Sequence, residues 1–231
     1  KIMSNTYENG KGVITFKTAL TEIVSSLFYE NAAPNAAPNT TLETVILPES
    51  ITKIGDRAFQ DCTNLKSINF PDKLTTIEDW AFAGCSALES ISLPNSLTTI
   101  GNNVFNECSS LTSVVIPDSV TYIGWAAFID CSSLKSAVLG RGMTQTGRSM
   151  FTNCTSLESV VIPETITTLF NYTFYNTGLK SFTVPQNVTK LGSNLFERSK
   201  SLTEVTIHDK VTEIGNAAFN GCSALTAIYS M

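Results

Sequence analysis

Residues 111–133 read LTSVVIPDSVTYIGWAAFIDCSS, and residues 42–64 read LETVILPESITKIGDRAFQDCTN. Laid one on the other, they share Leu, Val, Pro, Ser, Thr, Ile, Gly, Ala, Phe, Asp and Cys at the same places. The unit is L-x-x-[IV]-x-[LIF]-P-x-x-[ILV]-T-x-I-G-x-x-A-F-x-x-C-x-x. Its opening residues Leu42, Leu65, Leu88, Leu111, Leu134 and Leu157 stand 23 apart, and Leu179, Leu202 and Leu225 continue the series. One step, from Leu157 to Leu179, is 22 residues, which places a one-residue deletion near 176–178. A fixed internal period overrides any domain count based on length, because each unit is too small to bury its own apolar face and must stack on its neighbours.

A period of this length opening on L-x-x-[IV]-x-L predicts a leucine-rich-repeat solenoid, an α/β-type right-handed superhelix with short parallel strands, loops and a helical turn in each 23-residue coil. Alternation in Val45-Ile46-Leu47 and Ile68-Asn69-Phe70 is that of a strand with its first and third side chains inward. The Pro that follows, as at Pro48, Pro71, Pro94, Pro117, Pro163 and Pro185, lacks the N–H a ladder needs and stops the strand. A second apolar segment, Val120-Thr121-Tyr122-Ile123 in the unit at 111–133, predicts another short strand on the opposite wall, ended by Gly124; the stretch around Ala-Phe predicts the helical turn. Phe28, Phe59, Phe82, Phe105, Phe128, Phe151, Phe174, Phe196 and Phe219 share one position and take nine of the thirteen Phe, so they predict a buried aromatic column. Thr recurs without exception at 21, 52, 75, 98, 121, 144, 167, 189 and 212, which predicts hydroxyl bonding between coils and leaves its direction open.

Residues 1–41 are expected to form a degenerate N-terminal cap repeat, since Ile14, Phe16, Leu20, Ile23, Leu27 and Phe28 keep the unit's internal spacing, followed by a Pro- and Asn-rich surface insertion up to residue 41. Residues 42–231 then carry eight full repeats and the start of a ninth. The chain opens at Lys1 and stops a few residues into a further unit, as expected of a piece of something longer.

Little here suggests chemistry. Net charge is −5 with no basic run, which argues against nucleic acid, whose affinity rests on clustered Lys and Arg. No apolar stretch approaches the roughly 20 residues of a bilayer span. Six Cys occupy one repeat position, and stacked equivalents point the same way, so free buried thiols are expected in place of disulfides. Zinc needs convergent ligands at close spacing, which a ladder with a single His does not offer. That residue, His208, stands where other coils have Pro and is expected on an exposed loop. The loop acids Glu49, Asp72, Asp118, Glu164 and Asp209 recur as solvated turn residues without calcium-loop spacing. No catalytic residue, metal or cofactor is assigned, and an enzyme is not expected.

Two surfaces could bind. Outward strand positions form ladders, and Val115, Val138 and Val161 make an apolar stripe across three consecutive coils, although β-branched residues also simply favour strands. Aromatics outside the column, Tyr122, Trp125, Phe170, Tyr172 and Tyr175, cluster near the deletion together with Arg148. Trp125 and Arg148 hold equivalent positions in adjacent coils, which allows a cation–π stack between them; the alternative for the whole cluster is local repacking around a degenerate repeat.

These tokens, above all IPDSVTYIGWAAFIDC at 116–131, resemble the BspA-like class of leucine-rich repeats over essentially the whole chain from Lys11. The resemblance implies an extracellular or cell-surface protein that adheres to host or neighbouring cells by binding protein, such as an extracellular-matrix or surface glycoprotein, or a glycan. It implies no shared catalytic residues. A monomer is expected, without membrane insertion in this segment; the alternative is a passive spacer presenting another domain. Units 140–150 and 170–178 depart from the pattern.

Overall fold

The computed structural model describes the backbone of residues 2–8 and 11–16 and residues 20–28 and 40–230 in full. Most of the Pro- and Asn-rich insertion therefore lies outside the described residues. The chain winds into a solenoid in which each coil contributes to three walls.

The front wall is built by the predicted alternation. Val45 and Leu47 are buried while Ile46 between them is 57% exposed, and the strands stack in parallel with residue i beside residue i+23, as in Ser113, Ser136 and Ser159. It is not one continuous sheet. Thr44–Val45 pairs with Ser67–Ile68; Ser113–Val115, Ser136–Val138 and Ser159–Val161 form a second group; Ser181–Thr183, Glu204–Ile207 and Ala227–Ser230 form a third. The back wall is a five-stranded parallel sheet of Glu22–Ile23, Lys53–Ile54, Thr76–Ile77, Thr99–Ile100 and Tyr122–Ile123, then a three-stranded one of Thr168–Leu169, Lys190–Leu191 and Glu213–Ile214. At the N-terminal end, β1 (Ile2–Glu8) and β2 (Lys11–Phe16) form an antiparallel hairpin, and β2 lies beside Thr44–Val45.

The third wall corrects one expectation: among the described residues no helical turn is present. In its place each coil makes a run of tight turns with two residues in the left-handed region, such as Arg57 (φ 53°) and Asp61 (φ 58°). The backbone donors explain why. The N–H groups of Arg57, Phe59 and Asp61 donate to the carbonyls of Asp79, Ala81 and Ala83 in the next coil at 2.9, 2.8 and 2.7 Å. Those of Ala58, Gln60 and Cys62 donate three residues back within their own coil. A helix would turn all of these donors onto its own carbonyls and leave the next coil's buried carbonyls without partners. Because the left-handed residue is not always Gly, some coils carry strain. Glu107 (φ 58°) is exposed at the place where Gly84 and Gly221 stand in other coils. Glu107→Gly is expected to stabilise the protein by roughly 0.5–1 kcal/mol, since relief of left-handed strain outweighs the added chain entropy; a lowered melting temperature would contradict this.

Inside, the Phe rings form the expected column. Phe105 and Phe128 are 5.3 Å apart between centroids with planes 10° from parallel, and the stack runs from Phe28 to Phe219 with spacings of 4.9 to 6.0 Å. The cysteines lie beside it, buried and free. Their thiols donate one coil back to the Phe carbonyls, Cys85 to Phe59 at 3.2 Å, Cys131 to Phe105 at 3.1 Å and Cys154 to Phe128 at 3.1 Å. Ser199, which takes the Cys position in its coil, donates to the Phe174 carbonyl in the same way at 2.9 Å. The slot thus selects a small side chain with a donor. Burial pushes the thiols up, Cys62 to about 12, and Cys131 further still.

The Thr ladder proves to be outward and bonded to backbone: the hydroxyls of Thr52, Thr75 and Thr98 donate to the carbonyls of Thr21, Thr52 and Thr75 at 3.0 to 3.1 Å. His208 is a second correction, being 4% exposed and not on an open loop. It occupies the Pro position, which faces the stack, and its ring is satisfied there: Nε2 lies 2.8 Å from the Pro185 carbonyl and Nδ1 accepts the Lys210 N–H at 3.2 Å. Alternating charges pair between coils, Lys66 with Glu43 at 3.1 Å and Lys180 with Glu158 at 3.7 Å.

Candidate functional site

A depression opens on the edge between the back wall and the turn wall, and the repeat itself explains why it is there. The residue after a back-wall strand is Gly in most coils, at a point where the coils touch, and Glu78 fills it in one. A Cβ on Gly124 would lie 2.5 Å from the Asn102 backbone N, and one on Gly147 2.3 Å from the Gly124 carbonyl. In the next coil this residue is Phe170. The Phe170 N–H donates to the Thr146 hydroxyl at 3.1 Å, where Glu78, Gly101 and Gly124 donate to the Ile54, Ile77 and Ile100 carbonyls. Thr146, 1% exposed, replaces the Ile of other coils, and its hydroxyl also bonds Thr173 at 3.1 Å.

The result is a cleft of about 400 Å³ with Thr146 and Gly147 in it, Tyr122 and Trp125 on one side, Phe170 and Asn171 on the other, and Gln145 and Arg148 alongside. Tyr122 and Trp125 are each 52% exposed and Phe170 37%. Arg148 is the only charged side chain in the lining. Aromatic faces and one guanidinium can stack on a planar or apolar group and bind an anionic one. They provide no pair of titratable groups for acid–base work, and among the described residues no three His, Cys, Asp or Glu side chains come together as metal ligands.

Of the nine residues singled out from sequence, Tyr122, Trp125, Arg148 and Phe170 line this cleft together. Tyr172 adjoins it through Arg148, whose guanidinium carbon lies 5.9 Å from the ring centroid. Tyr175 continues outward, 5.9 Å from Tyr172 and 5.8 Å from the Arg198 guanidinium. Val115, Val138 and Val161 lie elsewhere, in register on the front wall, the first and last 60% and 57% exposed and Val138 half-buried. The stack of Arg148 on Trp125 that their equivalent positions allow is not the one formed: Arg148 reaches to the following coil, and Trp125 packs edge to face on Trp80 at 6.5 Å. Trp80, which carries Arg57 at 6.0 Å, was missed in sequence. Its separation of 45 residues from Trp125, close to two periods, was the available signal.

A family model described as BspA type leucine rich repeat region matches residues 32–157 and 144–230. Among solved structures, the chain is similar to a leucine-rich repeat protein from Bacteroides ovatus at 24% identity, covering 98% of this chain and 74% of that one with a TM-score of 0.64. The leucine rich repeat protein of T. pallidum is 29% identical over 94% of this chain and 78% of its own, with a TM-score of 0.61. A leucine rich cell surface protein from Faecalibacterium prausnitzii shares the fold at 19% identity, covering 96% and 91%, with a TM-score of 0.52. No curated protein matches significantly. No helix of the described residues is long and apolar enough to cross a membrane.

Proposed function

This chain belongs to the family of BspA-type leucine-rich repeat proteins, and we propose from that premise that it is a binding module of a cell surface or its exterior, adhering to a partner through the cleft of Tyr122, Trp125, Arg148 and Phe170. Repeat stacks of this kind are protein-interaction scaffolds, and their extended faces are where partners bind. The observation that carries the reading is the cluster itself: two half-exposed aromatic rings and a guanidinium lie open around a cleft, where the ordinary unit has only Gly and solvated polar side chains. Trp, Tyr and Arg are the residues that dominate interface energetics. Arg148 as the sole charge favours a partner presenting a carboxylate beside an apolar or planar group, as an acidic loop of an extracellular-matrix protein or surface glycoprotein does.

The test is binding of the fragment to a panel of immobilised matrix and cell-surface glycoproteins, followed by the double variant Trp125→Ala/Tyr172→Ala. Both side chains are at least partly exposed, so melting should shift little while affinity falls about tenfold or more. Undiminished affinity in the double variant retires the cleft as the contact, and a loss caused instead by Val115→Glu/Val161→Glu moves it to the front wall.

A further inference from the structure

Among the described residues the front wall has no backbone hydrogen bond across two steps, 66–71 to 89–94 and 158–164 to 180–186, and the second opens into a slot. No Cα of Ser159–Val161 lies within 8 Å of a Cα of Ser181–Thr183, although paired strands stand about 4.8 Å apart. No backbone hydrogen bond joins 158–164 to 180–186, whereas on the opposite wall the same two coils remain laddered, Thr168 beside Lys190 and Leu169 beside Leu191. The link into this second step is short. In the other units from Leu42 onward two residues separate the Cys position from the Leu that opens the next unit; here Thr177 and Leu179 are separated by Gly178 alone. A Cβ on Gly178 would lie 2.5 Å from the Thr155 carbonyl, so the shortened link is pressed against the preceding coil just before the strand that fails to pair.

The opening is a slot of about 430 Å³. Its inward side is apolar: Val160 and Ile162 are only half-buried, as are Ile91 and Leu93 at the other unbonded step, where the equivalent Val114, Ile116, Ala137 and Leu139 are buried, and Phe182 and Val184 close it from the other coil. Each flanking strand is laddered on its outer edge, Ser159–Val161 to Ser136–Val138 and Ser181–Thr183 to Glu204–Ile207, which leaves two facing edges with unused main-chain groups. Side chains bridge both ends, Lys180 to Glu158 at 3.7 Å and Asn187 to the Glu164 carbonyl at 2.6 Å. A separation of two ladder steps, about 9.6 Å, is what one inserted strand requires.

We propose that this slot takes an extended peptide segment of a partner protein, which completes the front-wall sheet by strand insertion. Main-chain bonds to both edges would hold it. Its alternate side chains would be apolar, covering Val160, Ile162 and Phe182. Recognition here is independent of the aromatic cleft and uses different chemistry.

The probe is a fluorescein-labelled acetyl-KTSVVIK-amide peptide, which copies residues 112–116 of the chain's own laddered front wall between two lysines. Anisotropy should saturate below about 1 mM, the weak end of specific recognition. Amide exchange at Val160, Ser181 and Thr183 should slow on binding. N-methylation of two peptide residues, one bonding each edge, should weaken binding about tenfold or more, and the Trp125→Ala/Tyr172→Ala variant should bind the peptide as before. One Ser inserted between Gly178 and Leu179 restores the 23-residue step, so it should close the slot and abolish binding. No saturation by about 1 mM, equal affinity of the N-methylated peptide, or full binding by an insertion variant that folds each overturns the proposal. The N-methylation result decides it on the unaltered protein even if the insertion variant does not fold.

Discussion

At pH 10.5, under reducing conditions, this protein should unfold at temperatures where it is fully folded at pH 8. Cys62, Cys85, Cys108, Cys131 and Cys154 are buried beside the Phe column, and removal from water raises each thiol above its ordinary 9.0. The folded state therefore keeps its thiol protons after the unfolded chain has begun to lose them. Stability from these groups is complete below the unfolded value near 9 and falls as pH rises toward the folded values. By pH 10.5 the unfolded chain gains about 2 kcal/mol per thiol, about 10 kcal/mol for five. That is comparable with the whole stability of an ordinary domain. The exposed Lys53 and Lys190, held up by bonds to Glu78 and Glu213, change in the same direction with a small surface effect. A control separates the sources. Cys108→Ser/Cys131→Ser retains a donor for the Phe82 and Phe105 carbonyls, as Ser199 does for Phe174, but cannot ionise. Because burial also raises the Cys222 thiol, the variant's melting temperature should fall between pH 9 and 10.5 with a slope about a third shallower; an unchanged slope would remove the thiols as the cause.

Phe128→Ala should cost roughly 3–5 kcal/mol, read by thermal and guanidinium unfolding. Phe128 is fully buried and stacks on Phe105 at 5.3 Å and Phe151 at 5.8 Å, so truncation leaves a cavity shared by three coils. A stack of repeats is held by nearest-neighbour terms, so the loss should also uncouple the coils on either side and broaden or split the transition. Phe219, half-buried and stacked on Phe196 alone among the column's rings, supplies the comparison: Phe219→Ala should cost about half as much. Equal effects at the two positions would contradict a stack stabilised by both neighbours.

Much of this fold could be read from the sequence because its core repeats by translation. Once Phe59, Phe82 and Phe105 recur at 23 residues, stacking puts their rings in one column, and the same reasoning placed Val45 and Leu47 inward and Thr52 and Thr75 in one ladder. The cleft was partly legible, since Tyr122, Trp125, Arg148 and Phe170 are departures from the unit. Its partners were not: Arg148 lies over Tyr172, and Trp125 meets Trp80. Long side chains on equivalent positions choose among several neighbours, which spacing does not rank.

What the sequence by itself determined is the period, and with it the columns of Phe, Cys and Thr and the location of the one short step. Only the tertiary structure decided how the backbone uses that period. Arg57, Trp80 and Glu107 take left-handed conformations that their residue types do not favour, because buried carbonyls of the neighbouring coil need donors. His208 is buried because the Pro position it fills faces the stack. After the short link at Gly178 the front wall is unladdered while the back wall stays closed, and since the front wall also parts between 66–71 and 89–94, where no residue is missing, the period alone does not say where its strands pair.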